Sequence, residues 1–184
     1  MHALASYVRS GSVQLFLNAG DHEHMKSAFR QALKEENLTY DTVDSMEGVK
    51  KFQEHLLTNP EVEPSQRVTM FAFSSYFPAV ATTDILARVS DVLACKPSEL
   101  AFYPLPKLMV RRVGDHEADS ARRACELGDG TNEARTIEDA MKFVKLFLEG
   151  DDLMTQMNER IMENAKQGIY DGCKNAVKLA LQRV

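Results

Sequence analysis

The densest group of side chains able to do chemistry is Asp21-His22-Glu23-His24, which follows one apolar run and opens another. Carboxylates and imidazoles at the mouth of a helix suit metal ligation or acid–base work, and open α/β sheets bind ligands beyond the carboxyl ends of their strands. Asp21 is also a good N-cap, and Glu23 favours the positive end of a helix dipole, so capping accounts for both acids without an ion. His22 and His24, two apart on a helix, point in different directions and do not readily share a metal. No metal and no cofactor is therefore expected.

A second candidate is the pair Ser74-Ser75 with Thr82-Thr83, around Tyr76-Phe77-Pro78. Hydroxyls and amides between a strand and a helix can hold a phosphate. This segment has no glycine, so its backbone cannot approach a phosphate as a P-loop does, and a helix-capping loop with buried aromatics is the expectation. Arg111-Arg112 and Arg122-Arg123 offer positive charge to an anion, or ion-pair partners to nearby acids. Cys125, beside Arg122 and Arg123, is the thiol candidate, whereas Cys95 and Cys173 read as buried, inert thiols.

The elements that must position these residues follow from hydrophobic periodicity. Val13 to Leu17 reads as a buried strand. Met25, Ala28, Phe29, Ala32 and Leu33 then recur at helical spacing. Leu38 to Val43 alternates as a strand, and Val49, Phe52, Leu56 and Leu57 mark a second helix ending at Asn59-Pro60. A loop at 61–65 precedes a third strand, Val68 to Phe73, and Ser74 to Ala81 leads into a helix capped by Thr82 or Thr83 that carries Ile85, Leu86, Val89, Val92 and Leu93. Strand and helix alternate three times, which predicts an α/β fold with an at least partly parallel sheet.

Beyond Lys96-Pro97, the stretch from Phe102 to Pro106 is at most an edge strand, and Leu108-Met109-Val110 reads as a short true one. Ala118 to Leu127 can form a short helix stopped by Gly128-Asp129-Gly130, and Ile137 to Leu148 forms another. From Asp151 onward, Leu153, Met154, Met157, Ile161, Ala165, Ile169, Cys173, Val177 and Ala180 hold a helical stripe. The organisation expected is an N-terminal arm at 1–11, an α/β domain at 12–150 and a helical C-terminal extension at 151–184. Gly-Asp-His-Glu occurs twice, at Gly20 and at Gly114.

The element order from Val13 to Leu93 resembles the thioredoxin-like fold, and its glutaredoxin-like members in particular, over the first half of the chain. Leu38-Thr39-Tyr40-Asp41-Thr42-Val43 looks like the second strand of that family. Where glutaredoxins place Cys-Pro-Tyr-Cys, this chain has Ala19-Gly20-Asp21-His22-Glu23-His24. Phe73-Ser74-Ser75-Tyr76-Phe77-Pro78-Ala79-Val80 is similar to the family's Ser-Tyr-Cys-Pro-Tyr-Cys, with Phe77 and Val80 in place of thiols. The resemblance implies a redox-inactive, thioredoxin-like sandwich used for binding.

Composition narrows the partners. The chain has 184 residues, 22 Lys+Arg against 27 Asp+Glu and a net charge of -5, without the basic excess that drives nucleic-acid binding. Its longest charge-free stretch, Val68 to Thr83, contains Pro78 and is too short to span a bilayer. Three well-separated cysteines without a CxxC point to a reducing intracellular compartment, the cytoplasm or an organelle matrix after removal of a presequence.

A long helical tail needs cover, either from its own sheet, with a bend at Gly168 or Gly172, or from another chain. The expected role is a non-catalytic structural or accessory subunit, in a homo-oligomer or a larger assembly. It would bind through Met154, Met157, Ile161, Met162, Ala165 and Ile169 and through a sheet edge. The alternative is a ligand-binding protein or enzyme whose site joins Asp21, His22 and His24 to Ser74, Ser75, Thr82 and Thr83, with Arg111 and Arg112 as a further anion site.

Overall fold

The computed structural model describes residues 1–59, 65–97 and 103–182. The expected stop at Pro60, the loop at 61–64 and Phe102 of the expected edge strand lie outside these residues. The fold is α/β, and the chain forms two compact units, Met1–Ser90 and Asp91–Val184. This division differs from the expected boundaries at 12 and 150.

In the first unit, β1 (Leu15–Gly20), β2 (Asp41–Val43) and β3 (Val68–Ala72) form a parallel sheet in the order β1-β3-β2. Its helices are α1 (Ala5–Arg9), α2 (Glu23–Glu35), α3 (Met46–Thr58) and α4 (Tyr76–Leu86). Leu15 and Leu17 pack with Val8 of α1 and Leu33 of α2. Phe16 and Phe71 pack instead with Val49 and Phe52 of α3 and Leu86 of α4. Alternate residues of β1 thus serve opposite layers, as the two-residue strand period requires. Covered on both faces, β3 is buried at all five positions, and its sequence accordingly reads as one unbroken apolar run apart from Thr69. The connection β1 to β2 passes over the place of β3 and the connection β2 to β3 returns, so right-handed crossovers put α2 and α3 on opposite faces.

Three expectations change here. Residues 1–11 are not a free arm: a 3-10 turn and α1 carry Ala5 and Val8, both buried. Helix α4 begins at Tyr76 with Ser75 as its N-cap, so Thr82 and Thr83 lie inside the helix rather than capping it. Pro78 falls in the first turn, where its missing N–H deprives no carbonyl of a partner. The helix ends at Leu86, and a 3-10 turn leads on to β4 (Leu93–Cys95), whereas the spacing of Val89, Val92 and Leu93 predicts a helix that continues through them.

In the second unit, β4 pairs in parallel with β5 (Lys107–Met109), so the described strands form two sheets rather than one. The other side of β5 is lined by the segment from Asp129 to Ala134: the Lys107 amide donates to Asp129 O, and the Thr131 and Ala134 amides donate to Lys107 O and Met109 O. Lys107 therefore lies between β4 on one side and the Asp129–Thr131 segment on the other. Helix α5 (Ala118–Leu127) ends at Gly128, whose φ of 76° is the left-handed conformation that favours glycine. Thr136 accepts from the Asp139 amide and starts α6 (Ile137–Glu149). Then follow α7 (Asp151–Lys166) and α8 (Gly172–Leu181), separated by a break at Gly168, φ 73°.

Candidate functional site

At the carboxyl ends of β1 and β3 the Phe73 amide donates to Gly20 O at 2.8 Å, which brings the Asp21–His24 and Ser74–Ser75 segments together. Helix α2 leaves on one face and α4 on the other, so this is the point in an open sheet where the chain direction switches. His22, His24, Ser74 and Ser75 are exposed and Asp21 is half-buried. Thr82 and Thr83 do not join them. Thr82 is fully buried, and the Thr83 hydroxyl receives the Asn18 amide, which also donates to Ala79 O.

Asp21 does not cap α2, whereas Glu23 stands in the first turn, at the positive end of the helix as expected. His22 is the N-cap of α2, without a side-chain cap bond. Glu23 also accepts from Lys26 Nζ at 2.6 Å, and that bond and charge hold its carboxyl below the usual range. Lys26 is buried, and its Nζ also donates to Phe73 O at 2.7 Å, tying α2 to the end of β3. The aromatics of the Ser74 segment are not buried: Tyr76 is 63% and Phe77 84% exposed.

The second Gly-Asp-His-Glu copy does cap. Glu117 is buried and accepts from the amides of Val113 and Gly114. Arg111 is exposed, but Arg112 is bound to Glu133 and Asp115 and is not an open anion site. Burial alone would raise the Glu133 carboxyl, but Arg112 and Arg135 outweigh it and hold it below the usual range. Arg122 and Arg123 pair with Asp119 and Glu126. A cavity of about 290 Å³ lies beside Cys125, lined also by Ala121, Arg122 and Glu133. Cys173 is exposed, contrary to expectation. Among the described residues no group of three or more His, Cys, Asp or Glu is placed to hold a metal.

The tail is the most informative part of the second unit. Met157 and Ile161 are buried, with α7 packed on α5 and α6, so these two face their own unit. Met154 is half-buried, whereas Met162, Ala165 and Ile169 are exposed. Asn164 donates to Leu127 O at 2.9 Å. The Tyr170 hydroxyl donates to Asp129 Oδ2 at 2.8 Å, and the same oxygen lies 2.9 Å from Lys107 Nζ in an ion pair whose two side chains are wholly buried. Burial pulls the Lys107 ammonium below the usual lysine range, against the pull of Asp129. The chain between α7 and α8 is thus pinned through Asp129 to the start of β5, while every residue of α8 is exposed.

Sequence reading did not find Lys107, Asp129, Asn164 or Tyr170. Gly128-Asp129-Gly130 read only as a helix stop, although an acid between two glycines beside a lysine-headed strand is the trace such a pair leaves.

Burial pushes the Tyr170 phenol up to about 12, and its bond to Asp129 adds to the shift while Asn164 opposes it. An acid whose folded pKa is raised stabilises the fold fully below its unfolded pKa, here about 10, and loses that contribution as pH climbs to the folded value. An absorbance titration should show a late tyrosine component, and Tyr170→Phe should remove it. A variant with an unchanged titration would show Tyr170 undocked.

Fold and site together define a small α/β protein with a buried charge pair that fastens an exposed terminal helix. The chain belongs to the family described as a domain of unknown function, DUF6938, whose model matches residues 1–181. No curated protein and no solved structure matches the chain. Nothing in these comparisons links it to the thioredoxin-like superfamily. Among the described residues no helix is long and apolar enough to cross a membrane.

Proposed function

We propose that the protein is a non-catalytic accessory subunit of an intracellular assembly that binds a protein partner through α8. The observation that carries this reading is the exposure of all ten positions of an amphipathic helix whose base is fixed. Cys173, Ala176, Val177, Ala180 and Leu181 form its apolar stripe, with Val177 59% and Leu181 71% exposed. An isolated helix of this length is marginal in water, so a sequence that keeps it amphipathic is one that gains cover. The expected binding face of the tail therefore shifts toward its end: Met157 and Ile161 serve the unit's own packing, and Val177 and Leu181 take their place. A sheet edge is a second contact of the same kind, offered by β2 with Asp41 and Thr42 exposed.

Val177→Asp with Leu181→Asp should leave the unfolding free energy measured in urea within about 0.5 kcal/mol of the parent, as substitutions on an uncovered surface do. In extracts of its own cells the parent should elute in a larger complex and the variant at single-chain size. Co-elution of the two would overturn the proposal.

The alternative, a small-ligand site, is supported by the bond from the Phe73 amide to Gly20 O, which brings the β1 and β3 loops together. It requires the Ser74 and Ser75 amides to shift on addition of inorganic phosphate in a nuclear magnetic resonance titration, and unmoved amides would remove it.

A further inference from the structure

Resting on the reading of α8 as a docking helix, we infer that the surface it docks on is the outer face of α7 in a second copy of this chain, in a reciprocal dimer. Charge complementarity points there. Helix α8 carries two lysines and no acid, whereas α7 carries four acids against two bases. The arrangement matches as well as the sum. Lys174 and Lys178 stand one turn apart along one flank of the apolar stripe, and Glu159 and Glu163 stand one turn apart beside Met162, which is 61% exposed. Side chains four apart lie over one another on a helix, so the two rows have the same spacing and close two ion pairs when the helices lie side by side.

The receiving face is open. Thr155, Asn158, Glu159, Met162, Glu163 and Lys166 are all exposed along one face of α7. The pairs these charges make within their own chain, Lys174 with Asp171 and Arg160 with Glu163, are exposed surface pairs, which exchange at little cost. Each copy has both a helix to give and a face to receive, so two copies can satisfy each other in one closed two-fold pair, the commonest symmetry of soluble oligomers.

The test uses the full chain and light scattering over a concentration series. The parent should reach twice the single-chain mass of 20.7 kDa and fall back toward it at high salt. Lys174→Glu with Lys178→Glu should give single chains, because acids then face acids. Glu159→Lys with Glu163→Lys should do the same for bases. Mixing the two variants should restore the dimer, since both of its interfaces are then complementary; circular dichroism checks that each variant is folded.

A parent that stays monomeric at every concentration overturns self-docking and leaves α8 to a different protein, which the extract experiment above reads independently. A dimer that both charge reversals leave intact, or a mixture that stays monomeric, overturns this interface.

Discussion

Asp129→Ala is expected to lower the stability of the chain by about 3–5 kcal/mol, the cost of stranding one member of a buried ion pair. Asp129 and Lys107 are both wholly buried, so the substitution leaves an ammonium in the interior with no counter-charge and no route to water. It also deprives the Tyr170 hydroxyl of its acceptor, so the joint between α7 and α8 loosens along with the core. Urea unfolding measures the first effect, and amide exchange at residues 169–171 measures the second. Replacing both partners with apolar residues, Lys107→Met with Asp129→Leu, should recover most of the lost stability, because exchanging a buried pair for well-packed apolar side chains is often neutral or better. A single substitution that costs less than about 1 kcal/mol would mean that the pair is open to water.

Phe71→Ala should cost a similar amount in the first unit, about 3–5 kcal/mol. Phe71 is wholly buried in β3, the middle strand of its sheet, and its ring meets Phe52 edge-on at 5.3 Å and Phe16 at 6.4 Å. Removing it opens a cavity between the sheet and the α3 and α4 layer and breaks two aromatic contacts at once. Phe71→Leu keeps most of the volume and should cost under about 1.5 kcal/mol. Equal losses for Ala and Leu would show that ring geometry outweighs volume at this site.

The unevenness of what the sequence reveals has physical causes. The β1, α2, α3 and β3 elements could be read because their apolar residues recur at the strand or helix period over enough positions to be counted. Three-residue strands such as β4 present no period. Leu93 there continues the helical spacing of Ile85, Leu86 and Val89 by accident, which is why a helix was drawn through it. The start of α4 was misplaced because Ser75 caps as well by type as Thr82 does, and because Pro78 looks like a barrier although it is harmless in a first turn.

Tertiary pairing was the least legible. Nothing local to Lys107 says that its charge is buried, and nothing local to Tyr170 says that its hydroxyl reaches Asp129, 41 residues earlier. Asp21 and Glu23 show the converse case. Asp21 suits capping by type but the cap position falls to His22, and Glu23, in the first turn as its type suggests, is also taken by the buried Lys26, which nothing local announces. The tail stripe was visible throughout, but which of its residues were already covered depended on how α7 lies on α5 and α6, a matter of packing rather than pattern.

The most direct test of the account is to place a photo-cross-linking side chain at Val177, on the apolar stripe of α8, and another at Asn175, on its polar side, and to irradiate each variant in its own cells. One discrete adduct is expected from position 177 and none from position 175, with mass spectrometry naming the partner as a second copy of this chain. The absence of an adduct at position 177, or equal labelling from both positions, would contradict the assignment of α8 as the docking helix.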